Sequence, residues 1–227
     1  MRPPWSTDEE LFEMVRRSLF SAVVGDVMDQ AGLMSQFLPA EIRPISPETR
    51  LVGRAMPVHT VDLPSDPAEA GPDPPFGRML EALDDLRPNE VYLCGGGSPR
   101  YALWGELMST RARILGAAGA VVDGFYRDTD GILALGFPTF GHGAYAQDQG
   151  SRGKVVDYRS PIRIGQVSAS PGDVVVGDRD GVCVVPRRHE DDVFVRALEK
   201  VQGENVVRRE IENGMSTREA FAKYGIM

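Results

Sequence analysis

Apolar side chains recur at helical spacing near the start of the chain, where Leu11, Phe12, Val15 and Leu19 follow a 3.6-residue period. Ser6-x-x-Glu9 and Thr7-x-x-Glu10 both fit a capping box, and acids crowd the first turn, so a helix is predicted from Thr7 to about Leu19. Ser21 is placed to cap a second short helix, Ala22 to Gln30, with Gly32 as its stop. Residues 37–49 read as loop punctuated by proline. Leu51 to Val61 reads as a strand broken at Gly53 and Pro57. Pro64 to Gly77 holds five prolines and reads as a surface loop or ordered flap that shapes the far end of a ligand pocket. Arg78 to Leu86 follows as a short helix with Met79, Leu80 and Leu83 inward. Val91 to Cys94 is then a buried strand ending in Gly95-Gly96-Gly97.

In the centre of the chain a helix opens at Trp104-Gly105-Glu106-Leu107-Met108 and runs to about Leu115, where Gly116 stops it. Ala118 to Val122 is an unbroken apolar run, as expected of a strand covered on both faces. Gly124 ends it, and Arg127-Asp128 follows at once. Ile132 and Leu133 give a short helical turn, Phe137 to Phe140 a further strand, and Gly141-His142-Gly143 a loop. Strand–helix–strand predicts a right-handed crossover and a parallel pair. Beyond residue 150 the pattern turns antiparallel: one strand over Ile162 to Val167, a turn at Pro171-Gly172-Asp173, then Val174–Gly177 and Val182–Val185 around a hairpin turn. A long charged helix follows from about His189 to Asn213, and a last one over Thr217–Tyr224 starts at Ser216-x-x-Glu219. No repeat or shift in composition divides the chain. It reads as one α/β domain of mixed strand direction over residues 1–227.

Charge narrows the function classes. Lys and Arg number 25 against 33 Asp and Glu, a net charge of −8, which argues against nucleic-acid or anionic-membrane partners. No stretch approaches the 18 or so apolar residues of a membrane span, and the first residues lack the apolar core of a signal peptide. The two cysteines, Cys94 and Cys183, each sit in an apolar run and are expected in the core. A reducing, cytoplasmic location is the expectation. His59, His142 and His189 show no metal-ligand spacing.

Two places are suited to chemistry. The helix start at Gly105 to Met108 presents free backbone N–H groups and a partial positive charge to a carboxylate or phosphate. No Lys follows it, and Gly95-Gly96-Gly97 runs into Ser98-Pro99-Arg100, so neither nucleotide-loop fingerprint is present and the triple glycine also reads as a plain tight turn. Arg127-Asp128 follows a buried strand, where ligands of α/β sheets collect. The Arg suits a carboxylate or a developing oxyanion, and the Asp suits a hard cation such as Mg²⁺. Taken alone, the pair is also an ordinary surface ion pair. Glu106, twenty residues and then Arg127-Asp128 would bring two carboxylates and an arginine to one crevice, a set able to bind a 2-oxo acid and stabilise its enolate. His142, Arg54, Arg100 and Tyr126 are further candidates to line it, whereas Trp104 is expected in the core.

The run WGELMSTRARILGAAGAVVDGFYRD resembles the RraA-like family, which includes 4-hydroxy-4-methyl-2-oxoglutarate/4-carboxy-4-hydroxy-2-oxoadipate aldolases (class II pyruvate aldolases) and the regulator of ribonuclease E activity. SAVVGDVMDQAG, LVGRAMPVHTV and PGDVVVGDRDGVCVVPRR extend the resemblance over nearly the whole chain. It implies a single-domain β/β/α swivelling-type α/β fold with mixed sheets and a long C-terminal helix. It also implies trimers or hexamers with active sites at subunit interfaces.

The resemblance implies roles as well. Asp128 would anchor Mg²⁺ or Mn²⁺ largely through water, and Arg127 would bind the pyruvyl oxygens and stabilise the enolate. The backbone of Gly105, Glu106, Leu107 and Met108 would hold the substrate carboxylate. Glu106, where the aldolase motif usually has Asp, would orient a proton-shuttling water from about one methylene further out. Glu199 or Glu204 of a neighbouring subunit would approach the metal. The activity implied is metal-dependent cleavage of a 4-hydroxy-2-oxo acid to pyruvate, with oxaloacetate decarboxylation through the same enolate. No Schiff base is needed, and the three lysines, Lys154, Lys200 and Lys223, lie outside the motif. The alternative within the family is a non-catalytic protein that binds and regulates a ribonuclease.

Overall fold

The structure is a computed structural model describing residues 3–64 and 76–226. The expected Pro64–Gly77 loop therefore falls mostly outside the described residues. The first helix, α1 (Asp8–Ser18), is capped by Thr7, whose Oγ1 accepts from the Glu10 amide, while the Ser6 amide donates to the Glu10 carboxylate. Helix α2 (Ser21–Gln30) corrects the expected cap. Ser21 lies inside the helix, and its hydroxyl and amide both donate to buried Asp178 at 2.6 and 2.7 Å.

The strands are β1 (Arg43–Pro44), β2 (Leu51–Asp62), β3 (Glu90–Gly95), β4 (Ala102–Trp104), β5 (Gly119–Val122), β6 (Phe125–Tyr126), β7 (Thr139–Gly141), β8 (Gly153–Tyr158), β9 (Ile162–Ile164), β10 (Val167–Ala169), β11 (Val174–Asp178) and β12 (Gly181–Val185). The main sheet runs β1-β7-β5-β3-β2-β11-β12, with β8 also on β2. The pairs β7–β5, β5–β3 and β3–β2 are parallel, and those with β1, β8, β11 and β12 antiparallel. Residues 36–44 nearly close the sheet: Leu38 and Gln36 pair with β12, and β1 pairs with β7. The parallel β5 and β7 match the crossover expected from the sequence.

Strand β2 is continuous across Pro57, where a break was expected. Amides alternate sides along it: Arg54 donates toward β3 and Ala55 toward Asp173. The proline nitrogen thus faces the edge where β11 has ended at Arg54 and β8 begins at Val58, so no ladder bond is lost. The expected single strand over Ile162–Val167 is instead the β9–β10 hairpin, turning at Gly165 with φ +56°. The β11–β12 hairpin is as expected.

Alternation sorts the core. Leu51, Ala55, Leu93, Val121, Phe140, Val182 and Val184 fill the interior of the curved sheet. Met56, Val58, Tyr92 and Val122 face outward under α3 (Met79–Asp84), α4 (Glu106–Ile114) and α5 (Thr129–Leu135). Val52, Val176, Cys183 and Val185 face outward under α1, α2 and the long α6 (Glu190–Glu212). Both faces of each central strand are therefore buried, which explains the unbroken apolar runs. Cys94 and Cys183 are buried and free, and burial pushes the Cys94 thiol up to about 12. Leu80, expected inward, is 58% exposed because α3 packs through Met79 and Leu83. The last helix, α7 (Thr217–Tyr224), has the full Ser216/Glu219 capping box. No described helix is long and apolar enough to cross a membrane.

Arg54, a candidate for the ligand pocket, instead ties α1 to α6. Its guanidinium donates to Asp8 and Glu190, and at 3.0 Å to the Gly172 carbonyl. The hydrogen bond from Arg54 holds the Asp8 carboxyl below its ordinary 3.8, against the opposing effect of burial. A carboxyl lowered on folding stabilises the protein above its unfolded pKa, and that contribution is lost as pH falls through the folded value. Asp8→Asn is expected to cost about 1 kcal/mol at pH 7, reduced from a buried-pair figure because Asp8 is half exposed. Urea titrations should show the gap between variant and wild type closing as pH falls below the ordinary carboxyl value of 3.8; an equal gap at acid pH would contradict this role.

Candidate active site

Two very short parallel strands build the site. Trp104 at the end of β4 lies opposite Tyr126 at the end of β6, and the Arg127 amide donates to the Trp104 carbonyl at 3.0 Å. The chain leaves both strands at one level, into α4 and α5. Trp104 therefore ends a strand and does not open a helix. It belongs to the core, stacked on Phe137 at 5.9 Å, and its Nε1 donates to Ser109 Oγ at 2.7 Å. Ser109 in turn donates to the Gly105 carbonyl at 3.0 Å, locking the first turn of α4.

Gly105 is the N-cap of α4, in extended backbone (φ −157°, ψ −179°), and brings no capping side chain. The amides of Leu107 and Met108 thus have no capping oxygen and are available to an anion. A Cβ on Gly105 would stand 2.8 Å from Asp128 Oδ2, so glycine is what lets that carboxylate rest against the helix start. The Glu106 amide donates to the same oxygen at 3.4 Å.

Asp128 occupies the left-handed region (φ +56°, ψ +40°), which costs a side-chain-bearing residue about 1 kcal/mol and is mildest for Asp and Asn. It sits at the N-cap of α5 but makes no cap bond to its own helix; the carboxylate turns across to α4. Its Oδ1 has no hydrogen-bond partner among the described residues. The Arg127 guanidinium lies between two carboxylates, with Nε 3.7 Å from Asp128 Oδ2 and Nη1 3.4 Å from Asp148 Oδ1. Its Nη2 has no partner among the described residues.

Asp148 is the site residue that sequence reasoning missed. It comes from the loop between β7 and β8, which is pinned on both sides: the Ala102 amide donates to the Gln147 carbonyl at 2.8 Å, and buried Gln149 donates to Thr60 Oγ1 at 3.1 Å. The available signal was topological, since a loop leaving β7 beside parallel β5 opens on the same edge of the sheet.

These groups line a cleft of about 250 Å³. Gly105, Arg127, Asp128 and Asp148 form its polar side, and Phe76, Leu80, Leu83 and Met108 its apolar side. That volume is below the roughly 300–1,000 Å³ of sites for drug-sized ligands. Leu107 stands 84% exposed at its mouth. Glu106 is not among the residues lining the cleft: its amide meets Asp128, and its carboxylate lies against Gly131 of α5.

Other candidates fall elsewhere. His142 Nε2 is 3.1 Å from Asp123 Oδ1, and its ring meets the Phe125 edge outside the cleft. Arg100 bonds Asp62 and Ser98 and lines a separate cleft with Tyr101 and Arg152. Tyr126 is buried in the core. Of the triple glycine, Gly95 ends β3 and Gly96, at φ +108°, bends the chain against His59 and Thr60. On α6, Glu204 is 3.9 Å from Lys200 and Glu199 lines a surface cleft with Val27, so neither reaches Arg127 within one chain.

Comparison with known proteins agrees with this architecture. The sequence profile of the RraA-like family, described as Aldolase/RraA, matches residues 21–184. A protein of Halalkalibacterium halodurans named "Putative 4-hydroxy-4-methyl-2-oxoglutarate aldolase" is 30% identical over 206 residues, 90% of each chain. An uncharacterized protein from Pseudomonas syringae superposes with a TM-score of 0.84 at 25% identity, over 97% of this chain and 98% of that one. Streptomyces coelicolor RraAS2, described as an unusual member of the RNase ES inhibitor RraA protein family, superposes with a TM-score of 0.77 at 25% identity, over 90% and 99%. With the profile covering most of its length and the fold shared throughout, this chain is a member of the RraA-like family.

Proposed function

We propose that the protein is a divalent-cation-dependent lyase that cleaves a 4-hydroxy-2-oxo acid to release pyruvate. The observation carrying this reading is that the Arg127 guanidinium and the uncapped first turn of α4 face one small cleft, beside a carboxylate with a free oxygen. The name of the Halalkalibacterium relative supports the same chemistry.

The donor set fits a hard cation. Mg²⁺ and Mn²⁺ are commonly held by one or two carboxylates and otherwise by water. Asp128, through Oδ1, and Asp148 are the residues that would hold it. Such a cation supplies Lewis-acid polarisation of a 2-oxo group.

The protein's own groups divide the remaining work. The Leu107 and Met108 amides receive the substrate carboxylate at the positive end of α4. Arg127 donates to the 2-oxo oxygen, where negative charge develops as the C3–C4 bond breaks. The 4-hydroxyl proton leaves as C4 becomes a carbonyl, and the bonding pair passes into the pyruvate enolate. Glu106, once its exposed and flexible carboxylate turns from Gly131 toward the cleft, orients a water that carries the proton, and protonation at C3 completes pyruvate. Oxaloacetate loses CO₂ through the same enolate. The apolar wall of Phe76, Leu80 and Met108 limits water around the breaking bond.

The test is a Mg²⁺ titration of pyruvate release in wild type and Asp128→Asn. Wild-type turnover should vanish with EDTA and return with Mg²⁺. The variant should need at least about tenfold more Mg²⁺ for half-maximal rate, in the range of losses from altered metal ligation. Turnover unaffected by EDTA would overturn the cation requirement.

A further inference from the structure

The charged groups of the cleft are gathered in one place. Among the described lining residues the charged side chains are Arg127, Asp128 and Asp148. Arg127 is the one cation of the three, and it already lies 3.7 and 3.4 Å from the two carboxylates. Arg152, which donates to the Asp148 carbonyl at 3.1 Å, lines a different cleft. The rest of the wall is largely hydrocarbon, from Phe76, Met79, Leu80, Leu83, Leu103 and Met108. With a substrate carboxylate on the Leu107 and Met108 amides and the 2-oxo group at Arg127, the substituent on C4 meets this remainder of the cleft.

We infer that the protein prefers a 4-hydroxy-2-oxo acid whose C4 substituent is an uncharged hydrocarbon chain over one that ends in a second carboxylate. The inference rests on the lyase reading and deepens it, because it names the class of the substrate's far half. A second carboxylate is poorly received anywhere in the cleft. At Arg127 it competes with the 2-oxo oxygen for the same guanidinium. Beside Asp128 and Asp148 it meets like charge. Against the wall it leaves water without gaining a hydrogen-bond partner, which is costly for an ionised group. A hydrocarbon chain gains by covering the same wall, where Leu80 is 58% exposed. Acids with a second carboxylate remain substrates, at lower kcat/KM, with that group left in solvent.

The experiment compares two acids that differ only at the last carbon. Cleavage of the C3–C4 bond in 4-hydroxy-2-oxoheptanoate gives pyruvate and butanal, and in 4-hydroxy-2-oxoheptanedioate it gives pyruvate and 4-oxobutanoate. For wild type with Mg²⁺, kcat/KM should favour the first by about tenfold or more, the equivalent of burying about two methylene groups. Leu80→Arg puts a cation into the wall at a position exposed enough to accept it, in a residue that forms helix well. It should raise kcat/KM for the second acid and lower it for the first, cutting the ratio by about tenfold. A wild-type ratio near one or in favour of the second acid, or a ratio that Leu80→Arg leaves unchanged, overturns the inference. If neither acid is cleaved, the lyase reading fails instead. Calorimetric titration with 2-oxoheptanoate and 2-oxoheptanedioate, which lack the 4-hydroxyl, then decides the inference alone: about tenfold tighter binding of the first upholds it, and equal or weaker binding overturns it.

Discussion

Replacing Arg127 by alanine is expected to lower kcat for pyruvate release roughly 10²- to 10³-fold, the cost of removing one preorganised donor to a developing oxyanion. KM should rise with it, because the same guanidinium is the cationic side chain that lines the cleft, next to the start of α4. Nε and Nη1 lie 3.7 and 3.4 Å from Asp128 and Asp148, and the guanidinium lines the cleft between them. Arg127→Lys should rescue little, since a lysine cannot bridge two carboxylates and still present a donor in the same plane. Steady-state kinetics on both variants, beside circular dichroism to confirm the fold, checks this. Arg127 is 38% exposed and belongs to no hydrophobic cluster, so its loss should leave stability near wild type. A kcat for Arg127→Ala within twofold of wild type would remove it from the chemistry.

The largest expected effect on stability comes from Phe140→Ala. Phe140 is fully buried on β7 and fills the interior of the nearly closed sheet. Its ring reaches across to β11, where a Cβ on Gly177 would stand 2.9 Å from Phe140 Cζ. The glycine makes room for the ring. The expected cost is about 3–5 kcal/mol, or on the order of 10 °C in Tm for a chain of this size. Phe140→Leu, which keeps most of the volume, should cost less than half as much. Urea denaturation of both variants provides the measurement. A loss under about 1 kcal/mol for the alanine would show that the interior collapses around the site more readily than this packing allows.

Elements with a strong local signature were legible in the sequence. Helix α1 and helix α7 carry their caps in the chain itself, and the β11–β12 hairpin follows from alternation around a short polar turn. The spacing of Glu106, Arg127 and Asp128 places their backbones together because both segments leave parallel strands at one level. What was hidden depends on partners distant in sequence. Strands β4 and β6, of three and two residues, are too short to show a period. Pro57 looked like a break because the strand change that spares it, from β11 to β8, involves residues about a hundred positions away. Ser21 had the identity of a cap, but buried Asp178 competes for it. Asp148 has no motif around it and gains meaning only when its loop is laid beside β4. The outward turn of the Glu106 carboxylate onto Gly131 was equally invisible, since both residues look unremarkable until the two helices are packed together.

The measurement that tests the central claim most directly is pyruvate release by the wild-type protein with Mg²⁺, from 4-hydroxy-4-methyl-2-oxoglutarate and from oxaloacetate, followed as NADH loss through coupled lactate dehydrogenase. The account predicts turnover above the Mg²⁺-only background on at least one of the two, abolished by EDTA and by Arg127→Ala. No turnover above background on either substrate, or turnover that Arg127→Ala retains in full, would contradict it.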